Sequence, residues 1–284
     1  MGREDRGVAV TAAVSLEPPF PDDEEATPFR TCDEDGTHHF SQIKKLALSG
    51  KQYIHAVNTE FTPTAAMLLG TAVHAIVLGE RPGKPVVVYP GKTRQGKAWE
   101  EFALEHRGRD VVTAAEWTRA EEVANAVMAD PLARAYLDGA RKEVPLSWED
   151  GGVKCSTSGI DIMPEGMIGD LKTTTTVEPD AMRRQIRRMH YAEQLVFYKR
   201  GCVANGIDVS KGLFLLCAEV KPPFEVVPFE LTERRIELAE KTVSLWMEKL
   251  RTYRDANQWP GYTQSPIPLD VEAWEVDEED VDDE

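Results

Sequence analysis

Gly169-Asp170-Leu171-Lys172-Thr173-Thr174 is the stretch on which the reading of this chain turns. It sits at the end of three predicted strands, 143–149, 154–163 and 167–173. The turns Asp150-Gly151-Gly152 and Pro164-Glu165-Gly166 join these strands as hairpins. Residues two apart on a strand share a face, so Asp170 and Lys172 stand side by side, and the second hairpin carries Asp161 toward them. Two carboxylates and a lysine on one patch suit a hard divalent cation bound through oxygen, with the lysine at a reacting phosphate or water. The helix that follows holds Gln194 and Tyr198, four apart and therefore on one face. The same predicted helix carries Arg183, Arg184, Arg187 and Arg188, then Lys199 and Arg200. A cation site beside a basic helix points to phosphodiester chemistry on nucleic acid. An acid two before a lysine recurs at Glu219-Val220-Lys221, but the Gln258 and Tyr262 that follow are separated by Pro260-Gly261 and cannot share a helical face.

Asp161, the run 169–174 and Tyr191-Ala192-Glu193-Gln194-Leu195-Val196-Phe197-Tyr198 resemble the PD-(D/E)XK nuclease core with its RecB-type Gln-x-x-x-Tyr helix. Within that group the chain resembles the RecE (exonuclease VIII) type of phage and prophage recombination exonuclease. The likeness extends over residues 41–262. It takes in Gly70-Thr71-Ala72-Val73-His74, Gly96-Lys97-Ala98-Trp99-Glu100-Glu101-Phe102 and Trp259-Pro260-Gly261-Tyr262. One departure is Ser156-Thr157-Ser158-Gly159, where the family carries an Arg-Pro pair.

The resemblance implies an α/β fold with a restriction-endonuclease-like core, a central mixed β-sheet flanked by helices. It implies Mg2+ or Mn2+ held by Asp161, Asp170, His74 and the Leu171 carbonyl, with Lys172 acting on the phosphate or water and Gln194 and Tyr198 orienting that region. It also implies 5′-to-3′ digestion of linear duplex DNA, leaving 3′ single strands that a RecT-like annealing protein uses for recombination. Ring-shaped homo-oligomers, a tetramer here, belong to the same expectation. The competing readings are another RecB-like nuclease, 3′-directed or single-strand-specific, and a non-catalytic DNA-binding subunit on the same fold.

Composition frames these readings. The net charge of −16 looks wrong for a DNA binder. Residues 1–40 hold 10 acids and 3 bases, and residues 263–284 hold 10 acids and no bases, which leaves 29 acids against 30 bases in 41–262. The body is neutral, and local charge rather than the total steers phosphate. The expected division is an acidic, disordered segment 1–38, a nuclease domain 39–262 and an acidic disordered tail 263–284. No apolar run is long enough to span a membrane, and Val8 to Leu16 is short and flanked by acids. A cytoplasmic protein is expected, in a bacterial host if phage-encoded. Cys32, Cys155, Cys202 and Cys217 form no Cys-x-x-Cys pair, so buried thiols rather than an iron–sulfur cluster are expected.

Upstream, Ser41 is expected to cap a helix over 41–56 with Ile43, Leu46 and Leu48 inward, and Thr62-Pro63 to start another reaching residue 78. On that second helix Ala66, Gly70 and His74 form one stripe. Small residues there would let the helix lie close to the sheet and bring His74 to the acids. A core histidine bonded to a carbonyl is the alternative, and the family resemblance favours the ligand. Arg94 and Lys97, in and just after a loop at 90–96, are candidate phosphate contacts, a solvated basic loop being the equal alternative. Glu143 is a further candidate acid or an edge-strand surface charge. Residues 212–220 read as a central buried strand, residues 223–231 as its neighbour, and Thr232 as the cap of a long helix to 257.

Overall fold

A computed structural model of the chain describes residues 32, 36–59, 61–80, 85–263 and 265–269. The two hairpins expected from sequence form its centre. β4 (Arg141–Asp150) and β5 (Val153–Met163) are antiparallel, and β6 (Met167–Thr174) turns back along β5. Gly151 and Gly152, at φ +57° and +77°, close the first hairpin. Two successive left-handed residues give the primed turn whose twist matches its strands, a conformation glycine adopts without a Cβ clash.

β6 runs parallel to β7 (Gly212–Glu219), which pairs antiparallel with β8 (Val226–Glu230). β4 takes one edge of β5. The other edge is shared: β1 (His38–His39) lies parallel to it at Cys155 and Ser156, and β6 joins at Ile162 opposite Gly169. The resulting sheet is mixed and six-stranded.

Helices cover both faces. α1 (Phe40–Ile43), α2 (Gly50–Asn58), α7 (Pro179–Met189), α8 (Tyr191–Ala204) and α9 (Glu233–Ala256) pack on one face. α3 (Ala65–Leu78), α5 (Ala114–Ala129) and α6 (Pro131–Leu137) pack on the other. β7 shows why both faces must be covered: Leu213, Leu215 and Cys217 enter the first core, and Phe214, Leu216 and Ala218 the second. Every residue of such a strand faces apolar surface, so its sequence loses the polar alternation of a half-exposed strand. β2 (Val87–Tyr89) and β3 (Val111–Thr113) make a separate parallel pair, with α4 (Lys97–Glu105) between them in sequence.

Gly169 precedes Asp170 on β6, and a Cβ there would lie 2.2 Å from the Phe214 ring. The ring is fully buried and has nowhere to go. Gly169→Ala is therefore expected to destabilise the protein by about 1–3 kcal/mol, the usual cost of overpacking a core. Thermal unfolding checks this, and an unchanged Tm would refute it.

Several expectations need correction. The helix over 41–56 is broken into α1, a 3-10 turn (Lys44–Ala47) and α2, because Ser49 is extended and its hydroxyl caps the new helix by accepting from the Gln52 N–H at 3.2 Å. Leu48 therefore points outward, 52% exposed. The following helix is capped by Thr64, not Thr62, which leaves Pro63 outside it. Pro223 and Phe224 belong to a turn closed by the Phe224 N–H on the Lys221 carbonyl at 2.8 Å, so β8 starts later than expected. The arginines and Gln194 do not share one helix. His190 takes the left-handed conformation (φ 60°, ψ 38°) and divides α7 from α8. The acidic segments are almost wholly outside the described residues, as is Val8 to Leu16.

Candidate active site

Asp170 and Lys172 project from β6 toward α8 and form an ion pair there. Gln194 sits against both: its Oε1 accepts from Lys172 Nζ at 3.2 Å, and its Nε2 donates to Asp170 Oδ1 at 3.2 Å. The same amide nitrogen donates to the Tyr198 hydroxyl at 3.0 Å. The four-residue spacing on α8 thus holds one amide between a carboxylate, an ammonium and a phenol. Tyr191, three residues before Gln194, places its ring 4.7 Å from Lys172 Nζ. Burial alone would lower the Lys172 ammonium, but Asp170 and then Asp161 outweigh it and hold it above the usual lysine range. Lys172 is a fixed positive charge at neutral pH, not a base. Burial, with the Asp170 carboxylate adding to it, raises the Tyr198 phenol, which stays a neutral hydroxyl.

Asp161 and His74 meet β6 at the backbone of Leu171. Asp161 lies one residue before β5 meets β6 at Ile162, and its Oδ2 accepts from the Leu171 N–H at 2.9 Å. α3 lies close to β6, where a Cβ on Gly70 would sit 3.1 Å from Thr173 Oγ1. One turn on, His74 Nε2 is 2.8 Å from the Leu171 carbonyl. A carbonyl only accepts, so Nε2 carries the proton. His74 Nδ1 faces Asp161 Oδ2 at 3.5 Å and Glu143 Oε1 at 4.0 Å. Burial and then the Asp170 carboxylate raise the Asp161 carboxyl well above the usual range. Glu143 adds to this, while Lys172 and the Leu171 N–H oppose it.

The ligand atoms of His74, Glu143 and Asp161 lie within 4.8 Å of one another. One imidazole nitrogen and two carboxylates are a donor set for a divalent cation, and anions crowded as these are would be relieved by one. The residues present fit such an ion. The expected donors fall into two groups: Asp161 and His74 face this cluster with Glu143, whereas Asp170 turns to Lys172 and Gln194. The Leu171 carbonyl, expected among the donors, is the acceptor that fixes the His74 tautomer.

A family model matches the part of the chain that carries this site. The PDDEXK-like domain of unknown function (DUF3799) matches residues 39–265. The chain belongs to this family. A solved structure of a candidate exonuclease from Eubacterium rectale is similar to the PDDEXK-like chain at a TM-score of 0.58 and 16% identity, covering 84% of this chain and 91% of that one. That likeness concerns the fold. The structure of SSO0001 (TM-score 0.27, 12% identity, 69% of this chain and 92% of that one) and LHK-Exo in complex with dAMP (0.26, 14%, 68% and 96%) are too distant in shape to add to it. No curated protein matches.

Not every basic residue singled out in the PDDEXK-like chain is turned to solvent. Arg94 is taken up by Glu116, at 2.8 and 2.5 Å, and by the Val111 carbonyl. It braces the start of α5. Lys97 pairs with Glu101 one turn along α4. Lys199 pairs with Glu240, and Arg200 with Asp150 and Glu240, tying α8 to β4 and α9. On α7, Arg183 pairs with Asp180, and Arg183, Arg184, Arg187 and Arg188 are all exposed.

Two residues of the PDDEXK-like site escaped the sequence reading. Tyr191 shares a helical stripe with Gln194 and Tyr198, a spacing that could have flagged it. Lys44 is half-buried, its ammonium lowered by burial and then by the charge of Lys172. Nothing local in its sequence marks it. Burial pushes the thiols of Cys155 and Cys217 up to about 12 and that of Cys202 to about 11. Among the described residues, no helix is long and apolar enough to cross a membrane.

Proposed function

We propose that the chain is a metal-dependent exodeoxyribonuclease that digests linear duplex DNA from 5′ ends and leaves 3′ single strands for annealing-type recombination. The observation that carries the hydrolytic reading is the Lys172 ammonium, held by Asp170 and Gln194, with Asp161 and His74 gathered at the Leu171 backbone beside it. An ornamental surface ion pair would need neither the glutamine clamp nor the opposing acids. The polarity, the RecT-like annealing partner and a tetrameric ring rest on the likeness to RecE-type enzymes. The name of the Eubacterium rectale structure, a candidate exonuclease, is in keeping with this.

His74 and Asp161, with Asp170 nearby, would hold the cation, Mg2+ or Mn2+. When bound, such an ion supplies Lewis acidity and makes a water nucleophilic near neutral pH. Lys172 brings a fixed positive charge to the negative charge that builds on a phosphoryl group under attack. Asp170 and Gln194 keep that ammonium in one place, so it need not reorganise as charge develops. Tyr198 holds Gln194 in turn. The exposed Arg184, Arg187 and Arg188 of α7 are the phosphate contacts that would track the backbone.

Linear duplex DNA labelled at the 5′ or at the 3′ terminus, digested with Mg2+ or Mn2+, tests the reading. Early release of the 5′ label is expected. Early release of the 3′ label would move the protein to another nuclease branch. Retained binding with no digestion in either metal would make it a non-catalytic subunit.

A further inference from the structure

Glu143 is the least expected member of the acid cluster. It lies on β4, the strand at the edge of the hairpin, where sequence alone gave a surface charge equal standing. Its backbone is left-handed, at φ +49°, inside an otherwise extended strand. A glutamate adopts that conformation at a cost, and such outliers persist where surrounding structure holds them for a purpose. Its side chain is only 8% exposed. On the neighbouring β5, Gly159 lies against it. A Cβ there would lie 2.5 Å from Glu143 Oε2 and 3.3 Å from the Glu143 backbone. The missing side chain of Gly159 is therefore the space that the Glu143 carboxylate occupies. Gly159 closes the segment Ser156-Thr157-Ser158-Gly159, the departure noted above.

The neighbours of this carboxylate are chosen as well. The Leu171 carbonyl binds Nε2 of His74, so Nδ1 is the nitrogen that faces Glu143 and Asp161. An acceptor behind a ligating histidine fixes the tautomer that a cation needs. Asp170, by contrast, is engaged by Lys172 and Gln194.

We propose that Glu143, seated in the space left by Gly159, is a ligand of the divalent cation together with His74 Nδ1 and Asp161. This inference rests on the metal-dependent reading of the site, and it assigns Gly159 as a positioning residue. Binding of Mn2+ to the full chain, followed by the electron paramagnetic resonance of the free ion and without DNA, tests it independently of catalysis. Glu143→Gln is expected to weaken Mn2+ binding at least tenfold. Glu143→Gly should do the same while relieving the left-handed backbone, so it serves where Glu143→Gln folds poorly. Gly159→Ala keeps all three ligands yet displaces one carboxylate, and a loss of about tenfold is expected, as for other residues that orient metal ligands. Affinity within twofold of wild type in both Glu143 variants would overturn the assignment. Weakening by Glu143→Gln with none by Gly159→Ala would overturn the role of Gly159. If wild type itself binds no Mn2+, the metal-dependent reading falls and this inference with it, a result distinct from any variant-specific one.

Discussion

Replacing Lys172 by alanine is expected to lower phosphodiester hydrolysis by about 10²–10³-fold or more, the usual cost of removing one preorganised charge from a transition state. The reason is positional. The ammonium is paired with Asp170, bonded to Gln194 Oε1 and laid over the Tyr191 ring, so no solvent ion can take its place in the same geometry. The substitution also leaves Asp170 and Asp161 without their nearby cation. Truncating one partner of a buried ion pair costs about 3–5 kcal/mol, so the metal-free variant should also unfold at lower temperature. Single-turnover digestion with excess enzyme separates the two effects, provided it is run below the unfolding range of the variant. DNA affinity should hold, because the exposed arginines of α7 are untouched. A rate within tenfold of wild type would remove Lys172 from the chemistry.

Asp161→Asn should move stability and function in opposite directions. Burial and the Asp170 carboxylate raise the Asp161 carboxyl, so the folded, metal-free protein penalises its charged form. The sign follows from linkage. A carboxyl raised in the folded state supports folding below its ordinary value of about 4. That support is lost as pH rises from there through the raised value, because the folded state must then either keep a proton or carry the charge. Asparagine has no such step, and its carbonyl oxygen can still accept from the Leu171 N–H. Without metal at neutral pH the variant is expected to melt higher than wild type, each kcal/mol gained being worth about 2–4 °C in a chain of this size. The gap should close as pH falls toward about 4. Wild type should gain about 2.7 kcal/mol when Mn2+ is raised to 100 times its dissociation constant, and the variant should gain far less and hydrolyse nothing measurable. Melting curves across pH, with and without Mn2+, check each part. A variant that melts lower than wild type in metal-free buffer would contradict the electrostatic account.

The hairpin 141–173 and the pairing of Asp170 with Lys172 were legible because a strand period of two and glycine turns are local properties. So was the approach of His74, since Gly70 on its stripe announces close packing. What failed depended on tertiary context. The left-handed His190 separates α7 from α8, yet its neighbours are good helix formers and no glycine or proline marks the break. Its ring lies edge-on to Trp246 at 5.1 Å, and Trp246 lies on α9, 56 residues later in the chain. Arg94, Lys199 and Arg200 read as free charges because their partners Glu116, Asp150 and Glu240 are remote in sequence. Glu143 was ambiguous for the same reason. Its backbone turn and the space left for it by Gly159 on β5 appear only once the strands are paired.

The shared edge of β5 also sets an order of assembly. β4, β5 and β6 are joined by turns of two and three residues and can pair as soon as they are made. β1 cannot, because His39 meets Ser156 at a sequence separation of 117 residues. Closing so long a loop is entropically costly and brings little reward until the strand it joins already exists. The hairpins bearing Asp161 and Asp170 are thus the template, and the amino-terminal strand is a late arrival that seals the half of β5 left bare by β6. During synthesis the order of emergence is the reverse of this order of pairing. His38 and His39 leave the ribosome first and must wait, unpaired, for a strand made more than a hundred residues later.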